Sequence, residues 1–339
     1  MIDLPDFLSD LPVVTEVYGH MDTLTDILRA MRLSGGVFLD AEFTEPWCII
    51  SKVGPEDCRP FMAEPAQLIA YHYVVEGRLL LSISGHAPVA AAAGHLLVLP
   101  RNDQHLLGSA LDLQPANADE LIEPAGADGL ARIRFGGGGA RTCIVCGFLG
   151  SDDRSAPLLT SLPALMTLDL QDKLTGPWIE GSMRYAAREL AAGGPGTSAN
   201  LARLAELLFT EAIRAYVKAL PPGQRGWLAG LRDPVVGRTL ALIHGQLVHP
   251  WTLDELVREV GLSRSTLTER FTRHIGVPPM RYLSRRRLLL AAERLRDGQQ
   301  SVAEIGYGVG YESEAAFSRA FKREFGMAPG AFRQETLES

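Results

Sequence analysis

The sequence predicts an α+β multidomain chain: an N-terminal β-barrel or sandwich, a helical linker layer and a C-terminal all-α domain. Three patterns predict it. Short β-type runs between turn residues fill positions 37–150, helical periodicity follows Pro163, and the region after residue 231 repeats one helix–turn–helix pattern. A chain of 339 residues with 46% hydrophobic content can build two or three cores.

Composition excludes several classes of protein without selecting one. No run reaches the roughly 18 apolar residues of a membrane span, no basic-then-apolar leader opens the chain, and four cysteines are too few for a disulfide scaffold. We therefore expect a cytoplasmic protein with no membrane partner. Residues 233–339 hold 15 basic and 13 acidic residues, whereas residues 1–232 hold 18 and 27. A weakly basic C-terminal third permits DNA binding without requiring it.

Four segments are predicted. Residues 1–20 form a flexible arm, and residues 21–160 form the β domain, with a long loop over 117–139 and strands over 47–51, 68–75, 79–84, 96–99, 131–135 and 142–148. Residues 161–230 form the helical linker, with helices over 178–190 and 200–219. Their apolar stripes need a partner surface, which is either a second copy in a homodimer or the barrel of the same chain. Residues 231–339 form the all-α domain.

The all-α domain contains two segments of the same construction. In the first, Thr252 and Glu255 form a capping box, Gly261 makes the turn, and a second helix covers 264–275. In the second, Ser301 and Glu304 form the capping box, Gly310 makes the turn, and the second helix continues to residue 325. A long helix over 280–296 joins the two segments.

This duplicated helix–turn–helix resembles the AraC/XylS family of transcription regulators. The match covers residues 234–333, and Gly306 stands where the family usually has alanine. It implies a double-stranded DNA operator and RNA polymerase as partners. The motifs that carry it are Ala292-Glu-Arg-Leu295, Ser301-Val-Ala-Glu-Ile305, Val309-Gly-Tyr-Glu-Ser313, Phe317-Ser-Arg-Ala-Phe-Lys-Arg323, Phe325-Gly326 and Pro329-Gly-Ala-Phe-Arg333.

The resemblance also implies which residues contact DNA, because the family's two recognition helices enter major-groove segments about 34 Å apart. The predicted base readers are Ser265, Thr268, Glu269, Glu314, Ala315 and Arg319. The predicted phosphate contacts are Ser263, Arg264, Arg285, Arg286, Ser313, Lys322 and Arg323. For the run 285–287, a plain solvated helix face is an equally good interpretation.

The β domain contains a second resemblance. Residues 94–105 have the spacing Gly-x5-Pro-x-Asn-x2-His, which resembles the second cupin motif with Asn102 in place of its usual glycine. Residues 71–77 look like the strand and turn of the first cupin motif, without its metal-binding His-x-His pair. The resemblance implies a cupin-like barrel that senses a small effector, a metal or an oxidant.

Four residues are candidates for that sensing role. His72 and His105 are expected on inward strands, and Cys143 and Cys146 form a CxxC pattern that suits zinc or thiol redox chemistry. No cofactor is required, although a bound zinc is possible on this pattern. Buried structural roles are the alternative, because positions i and i+3 of a regular strand face opposite sides.

The leading hypothesis is a sequence-specific DNA-binding regulator that responds to an effector in the barrel. One alternative is a cupin-type metalloenzyme, which needs three or four ligands; only His105 stands on a standard ligand position, so we do not expect an enzyme. The other is a scaffold with a DNA-binding tail, which leaves two recognition helices unexplained.

Overall fold

A computed structural model describes residues 33–54, 65–123, 131–151, 157–170, 197–221 and 223–337, with Leu24, Cys58, Gly181, Ser182 and Tyr185. The predicted arm over 1–20 and most of the predicted helix over 178–190 lie outside the described residues. The chain separates into two compact units between Leu228 and Ala229. Among the helices described, none is both long and apolar enough to cross a membrane.

The first unit contains two β-sheets that share one apolar core. Within the described residues, the larger sheet has the order β12-β6-β3-β11-β1-β10-β9, and the smaller has the order β5-β4-β7-β2-β8. The strands are β1 (Ser34–Thr44), β2 (Cys48–Ser51), β3 (Gln67–Glu76), β4 (Arg78–Ile83), β5 (Val89–Ala92), β6 (His95–Leu99), β7 (His105–Gly108), β8 (Ala116–Asn117), β9 (Ile122–Glu123), β10 (Ala131–Gly136), β11 (Arg141–Ser151) and β12 (Met166–Asp169).

Alternating hydrophobicity determines which face of each strand turns inward. In β4, Leu79, Leu81 and Ile83 are buried while the residues between them are partly exposed. These side chains join Phe43 and Ile133 from the larger sheet in one core cluster. The barrel interior is therefore lined by both sheets.

Several strands differ from the predicted ones. Strand β1, which pairs with β11 antiparallel and with β10 parallel, is not among the predicted strands. The helical prediction after Pro163 is wrong at β12, which pairs antiparallel with β6. The predicted loop over 117–139 contains β9 and the short helix α1 (Ala118–Leu121), whereas β10 confirms the strand predicted over 131–135.

Three more helices complete the description up to residue 231: α2 (Pro157–Ser161), α3 (Thr197–Ala219) and α4 (Trp227–Leu231). Helix α3 begins three residues before the predicted cap Asn200 and packs against β1, β11 and β12. It buries Leu208, Phe209 and Ile213. Of the two partner surfaces that the apolar stripe allowed, the barrel of the same chain covers these side chains.

The second unit consists of seven described helices: α5 (Pro234–Gly245), α6 (Leu253–Val260), α7 (Arg264–Ile275), α8 (Pro279–Asp297), α9 (Val302–Gly308), α10 (Glu314–Phe325) and α11 (Pro329–Leu337). Both predicted capping boxes are present, at Thr252 and Ser301. Gly261 and Gly310 have φ of 68° and 87°, the left-handed conformation that each turn requires. The predicted duplicated helix–turn–helix is confirmed.

One side chain of α8 links the two helix–turn–helix segments. The Arg287 guanidinium donates from Nε to Leu247 O at 2.9 Å and from Nη2 to His249 O, both in the loop before α6. It also donates from Nη1 to Gly310 O at 3.1 Å, in the turn before α10. Because all three acceptors are backbone carbonyls, Arg287 connects the main chain of the loop before α6 to the main chain of the turn before α10.

Candidate functional sites

The exposed face of α7 is the first candidate nucleic-acid interface. Ser263 caps the helix by accepting a hydrogen bond from Thr266 N at 3.2 Å. Leu267 and Phe271 are completely buried, which determines the face that α7 turns outward. Of the predicted base readers on that face, Ser265 and Glu269 are exposed and Thr268 is half-buried.

Helix α10 repeats this arrangement. Ser313 caps it by accepting from Ala316 N at 3.2 Å, and Phe317 and Phe321 are completely buried. The other three predicted readers are exposed on its outer face: Glu314, Ala315 and Arg319. Helices α7 and α10 therefore each bury two large apolar side chains and leave the predicted reader face at least partly exposed.

Two predicted phosphate contacts already have acidic partners. Arg264 forms a two-point ion pair with Asp254, and Arg285 Nε lies 3.0 Å from Glu324 Oε1. Exposed pairs of this kind contribute at most about 1 kcal/mol. A phosphate can therefore replace either carboxylate. Lys322 and Arg323 are exposed on α10.

The prediction for Arg286 is wrong. Its residue is only 6% exposed, because helical periodicity places it with the buried Tyr282 and Leu283 on the inner face of α8. Neighbouring Arg287 is the linking residue described above, and its place in an arginine run does not predict that role. Only Arg285 of the three is exposed.

The barrel holds a cavity of about 310 Å³. Aliphatic and aromatic side chains form most of its wall, including Leu39, Phe43, Ile49, Leu107, Ile133 and Phe148. The polar members of the lining are Ser51, Lys52, His72, Asp119 and Cys146. An apolar wall with a few polar groups is typical of small-molecule sites, and this volume is at the small end of their range.

Three of the four predicted sensing residues form a hydrogen-bonded chain at this cavity. Cys146 Sγ lies 3.0 Å from His72 Nδ1, and His72 Nε2 lies 2.8 Å from His105 Nε2. His105 Nδ1 lies 2.9 Å from Asp103 O. The pairing of β11 with β3 places Cys146 opposite His72, and β7 from the other sheet supplies His105.

The chain of hydrogen bonds has one direction when both imidazoles are neutral. A carbonyl oxygen only accepts, so His105 donates from Nδ1 to Asp103 O and its Nε2 is an acceptor. His72 must then donate from Nε2, which leaves its Nδ1 to accept from the Cys146 thiol. The backbone carbonyl of Asp103 thus selects the tautomer of both rings.

Electrostatics favours this neutral arrangement. Burial lowers the pKa of His72 well below its ordinary value, and neighbouring His105 lowers it further. Burial also lowers the pKa of His105, against the opposing effect of Asp103. Burial raises the pKa of the Cys146 thiol, as does the charge of Asp40. The resting pair is therefore a thiol and an imidazole, not a thiolate and an imidazolium.

Cys143 does not join this group, so the prediction of a dithiol or shared metal site with Cys146 is wrong. Its Sγ lies 3.9 Å from Glu76 Oε2, beside the exposed Arg141, and it does not line the cavity. The two cysteines are three positions apart on β11 and face opposite sides. Burial raises the pKa of the Cys143 thiol, and Glu76 adds to the shift while Arg141 opposes it.

The geometry does not fit zinc. Two imidazole nitrogens on one tetrahedral zinc are separated by about 3.3 Å, whereas the facing Nε2 atoms of His72 and His105 are 2.8 Å apart and share a hydrogen bond. His72 directs its other nitrogen to Cys146, away from His105. Within the described ranges, no group of three or more His, Cys, Asp or Glu is arranged to hold a metal. The metalloenzyme alternative therefore has no ligand set there.

Asn102, which replaces the usual cupin glycine, has its own structural role. It adopts a left-handed φ of 50° and is 6% exposed. Its side chain accepts from Val53 N at 3.1 Å and donates to Val53 O at 2.7 Å. The amide thereby links the turn after β6 to the segment after β2, which glycine cannot do.

Comparison with known proteins gives the same two domains. The family described as Cupin matches residues 22–218, and the family described as Helix-turn-helix domain matches residues 256–335. A putative AraC-like transcription regulator of Streptomyces antibioticus is 30% identical over 94% of this chain and 100% of its own length. The HTH-type transcriptional regulator AlkR of Acinetobacter baylyi is 27% identical over 93% of this chain and 100% of its own.

A solved DNA-binding domain, that of the global transcriptional factor AdpA in complex with a target DNA, is 27% identical, with 29% of this chain and 91% of that chain covered and a TM-score of 0.27. The two matched domains define a two-domain regulator that binds DNA through its helical unit. The chain belongs to the AraC family of DNA-binding transcription regulators and carries a cupin domain.

Proposed function

We propose that this regulator reads its operator with the outer faces of α7 and α10 and that its barrel binds a small, mainly apolar effector. The observation that carries the first part is the repeated construction of the two helices. Each is capped by a serine, each buries a pair of large apolar side chains, and each leaves polar residues exposed.

The exposed side chains suit different bases. Arg319 can donate two hydrogen bonds to guanine, and Ala315 can contact a thymine methyl group. Glu269 and Glu314 can each accept from the amino group of cytosine. Glu269 is exposed while paired with Arg273 at 2.7 Å, so base reading requires that pair to open. Ser265 and Thr268 complete the reading set.

The phosphate set is now Ser263, Arg264, Arg285, Ser313, Lys322 and Arg323, without Arg286. Each of the two serines caps a helix N-terminus, where backbone N–H groups favour the binding of anions. The basic residues supply the salt-dependent part of the affinity, because each phosphate they neutralise releases counterions. RNA polymerase and a second copy of the chain are the further partners that we propose.

The cavity supports the second part. Its wall is mostly apolar, and its polar groups include Ser51 and Lys52 as donors and His72 and Cys146 as one hydrogen-bonded pair. A small molecule with an apolar body and one or two polar atoms matches this lining. A metal is not part of the proposal, since the histidines and the cysteine do not converge on one point.

The full-length protein tests the first part directly. A random double-stranded DNA pool selected on the wild type gives the operator sequence, and the same selection on Arg319→Ala shows which position that side chain reads. We expect two preferred segments one helical turn apart. A selected pool with no sequence preference, or with a single short segment, would contradict reading by both helices.

A further inference from the structure

The hydrogen-bonded group at the cavity resembles a nucleophile with its base. Cys146 supplies a thiol, His72 accepts its proton at Nδ1, and His105 orients His72 through the 2.8 Å contact between the Nε2 atoms. Asp103 O in turn fixes His105. Cysteine and serine nucleophiles are activated in this way: the nucleophile is hydrogen-bonded to a base, and a third group orients the base.

The thiol also faces a place where a reactant can lie. Cys146 and His72 both line the cavity, whose wall is otherwise mainly apolar. Ser51 and Lys52 are donors in the same lining and suit a carbonyl oxygen. The polar lining also includes Asp119. The cavity therefore suits small molecules with an apolar body and one polar acceptor.

We propose that Cys146 is a covalent modification site for small apolar α,β-unsaturated carbonyl compounds that enter the barrel. The inference rests on the cavity being the effector site, and it names the chemical class of effector. Cys143 on the same strand is not part of the site, because it lies outside the cavity beside Glu76.

The reaction is balanced without any further reagent. As the thiol proton moves to His72 Nδ1, Cys146 Sγ forms a bond to the β-carbon, and the electrons of the carbon–carbon double bond move to the α-carbon and carbonyl oxygen. His72 is then an imidazolium that still donates from Nε2 to His105. It returns the proton to the α-carbon, which leaves a thioether and a neutral imidazole.

The neutral resting state gives the site its selectivity. Because burial keeps Cys146 protonated, a charged reagent that depends on free thiolate and cannot enter the apolar cavity reacts slowly. A reactant bound beside His72 reacts faster, since the proton is removed only as the bond forms. General-base assistance of this kind contributes about 10²–10⁴-fold to a rate.

The test exposes the full-length protein to cyclohex-2-enone and follows adducts by intact mass and peptide mapping. We expect the first adduct at Cys146 and none there in Cys146→Ser. Cys143→Ser is the matched control on the same strand and should keep the wild-type rate. His72→Gln should lower the rate at Cys146 at least tenfold. First reaction at another cysteine, or an unchanged rate in His72→Gln, would overturn the proposal.

A second measurement needs no folded variant. In the native protein Cys146 should react with the enone faster than Cys143, and unfolding in urea should remove that difference, because both cysteines then become ordinary thiols. Persistence of the preference in urea would overturn the proposal.

Cyclohexanone, the saturated analogue, distinguishes failure of the covalent site at Cys146 from failure of effector binding in the cavity. If it raises the Tm of wild type and Cys146→Ser while the enone leaves Cys146 unmodified, the effector cavity stands and the covalent site is excluded.

Discussion

The Arg287 guanidinium donates to the carbonyl oxygen of Gly310 at 3.1 Å, across the boundary between α8 and the second helix–turn–helix. A Cβ at Gly310 would lie 2.9 Å from both Arg287 Cζ and Val248 O. Arg287 therefore approaches the turn before α10 so closely that a side chain at position 310 would overlap with it. The same side chain also bonds to the loop before α6, so it connects the main chain of the two helix–turn–helix segments.

Gly310→Ala should destabilise the helical unit and weaken operator binding. The φ of 87° costs an alanine about 1–2 kcal/mol, and the overlap with Arg287 and Val248 adds to that cost. Gly326→Ala is the matched control, because Gly326 has a φ of 80° and a Cβ there meets nothing within 4 Å. Urea unfolding of both variants measures the difference. Equal losses would show that the close approach of Arg287 contributes nothing.

Arg319→Ala and Lys322→Ala should weaken DNA binding in different ways. Loss of a guanine-reading arginine costs about 1–3 kcal/mol and relaxes preference at one position. Loss of a phosphate-contacting lysine weakens all sequences similarly and reduces the slope of log affinity against log salt by about one. Affinities for the operator and for a one-base variant at several salt concentrations separate the two. Identical behaviour of the variants would contradict their assignment as reader and phosphate contact.

Asp233→Ala should destabilise the helical unit by about 1–3 kcal/mol. Its carboxylate caps α5 by accepting from Val235 N and Val236 N at 3.0 Å, and it accepts from Arg270 Nε at 2.7 Å. Although burial raises the pKa of Asp233, these hydrogen bonds together lower it. The charge therefore stabilises the fold above about pH 4, and the contribution disappears as the pH falls through the lowered pKa.

The matched variant is Asp233→Asn, which retains a good capping side chain but removes the charge. Urea unfolding at neutral pH should show a smaller loss for Asp233→Asn than for Asp233→Ala. A loss as large as that of Asp233→Ala would assign the whole effect to the ion pair with Arg270.

The stability of the barrel should fall as the pH drops below about 6.5. The pKa values of His72 and His105 are lowered by burial, so the unfolded chain binds protons in this range while the folded chain does not. The stabilisation from the two neutral histidines is complete above the pKa that they have in the unfolded chain. It is lost as the pH falls toward their lower pKa in the folded protein, at up to about 1.4 kcal/mol per pH unit for each group. Urea unfolding across this range should show the slope in the wild type and in the exposed-site control His86→Gln. His72→Gln should reduce it, and an unchanged slope would contradict the burial of a neutral His72.

The sequence predicted the helical unit well because its signals are local. Ser301 and Glu304 lie within one turn, and Gly261 needs only its own φ, so caps and corners can be recognised without knowing the rest of the fold. Burial of Arg286 could not be predicted from the arginine run, since it depends on which face of α8 the other helices cover.

The barrel was harder to predict because its partners are distant in the sequence. His72 and Cys146 are 74 positions apart and meet only through the register of β3 with β11. Alternation along β11 indicated that the two cysteines face opposite sides, and the structure agrees with that simpler interpretation. The contact between His72 and His105 joins the two sheets, and no short-range pattern in the sequence predicts it.

The link between Asn102 and Val53 gives the barrel a mechanical property. Val53 belongs to the cavity wall, and Asn102 immediately precedes Asp103, whose carbonyl holds His105. Two hydrogen bonds thus join the cavity wall to the turn. A displacement of Val53 would therefore be passed, through Asn102, to the carbonyl that holds His105.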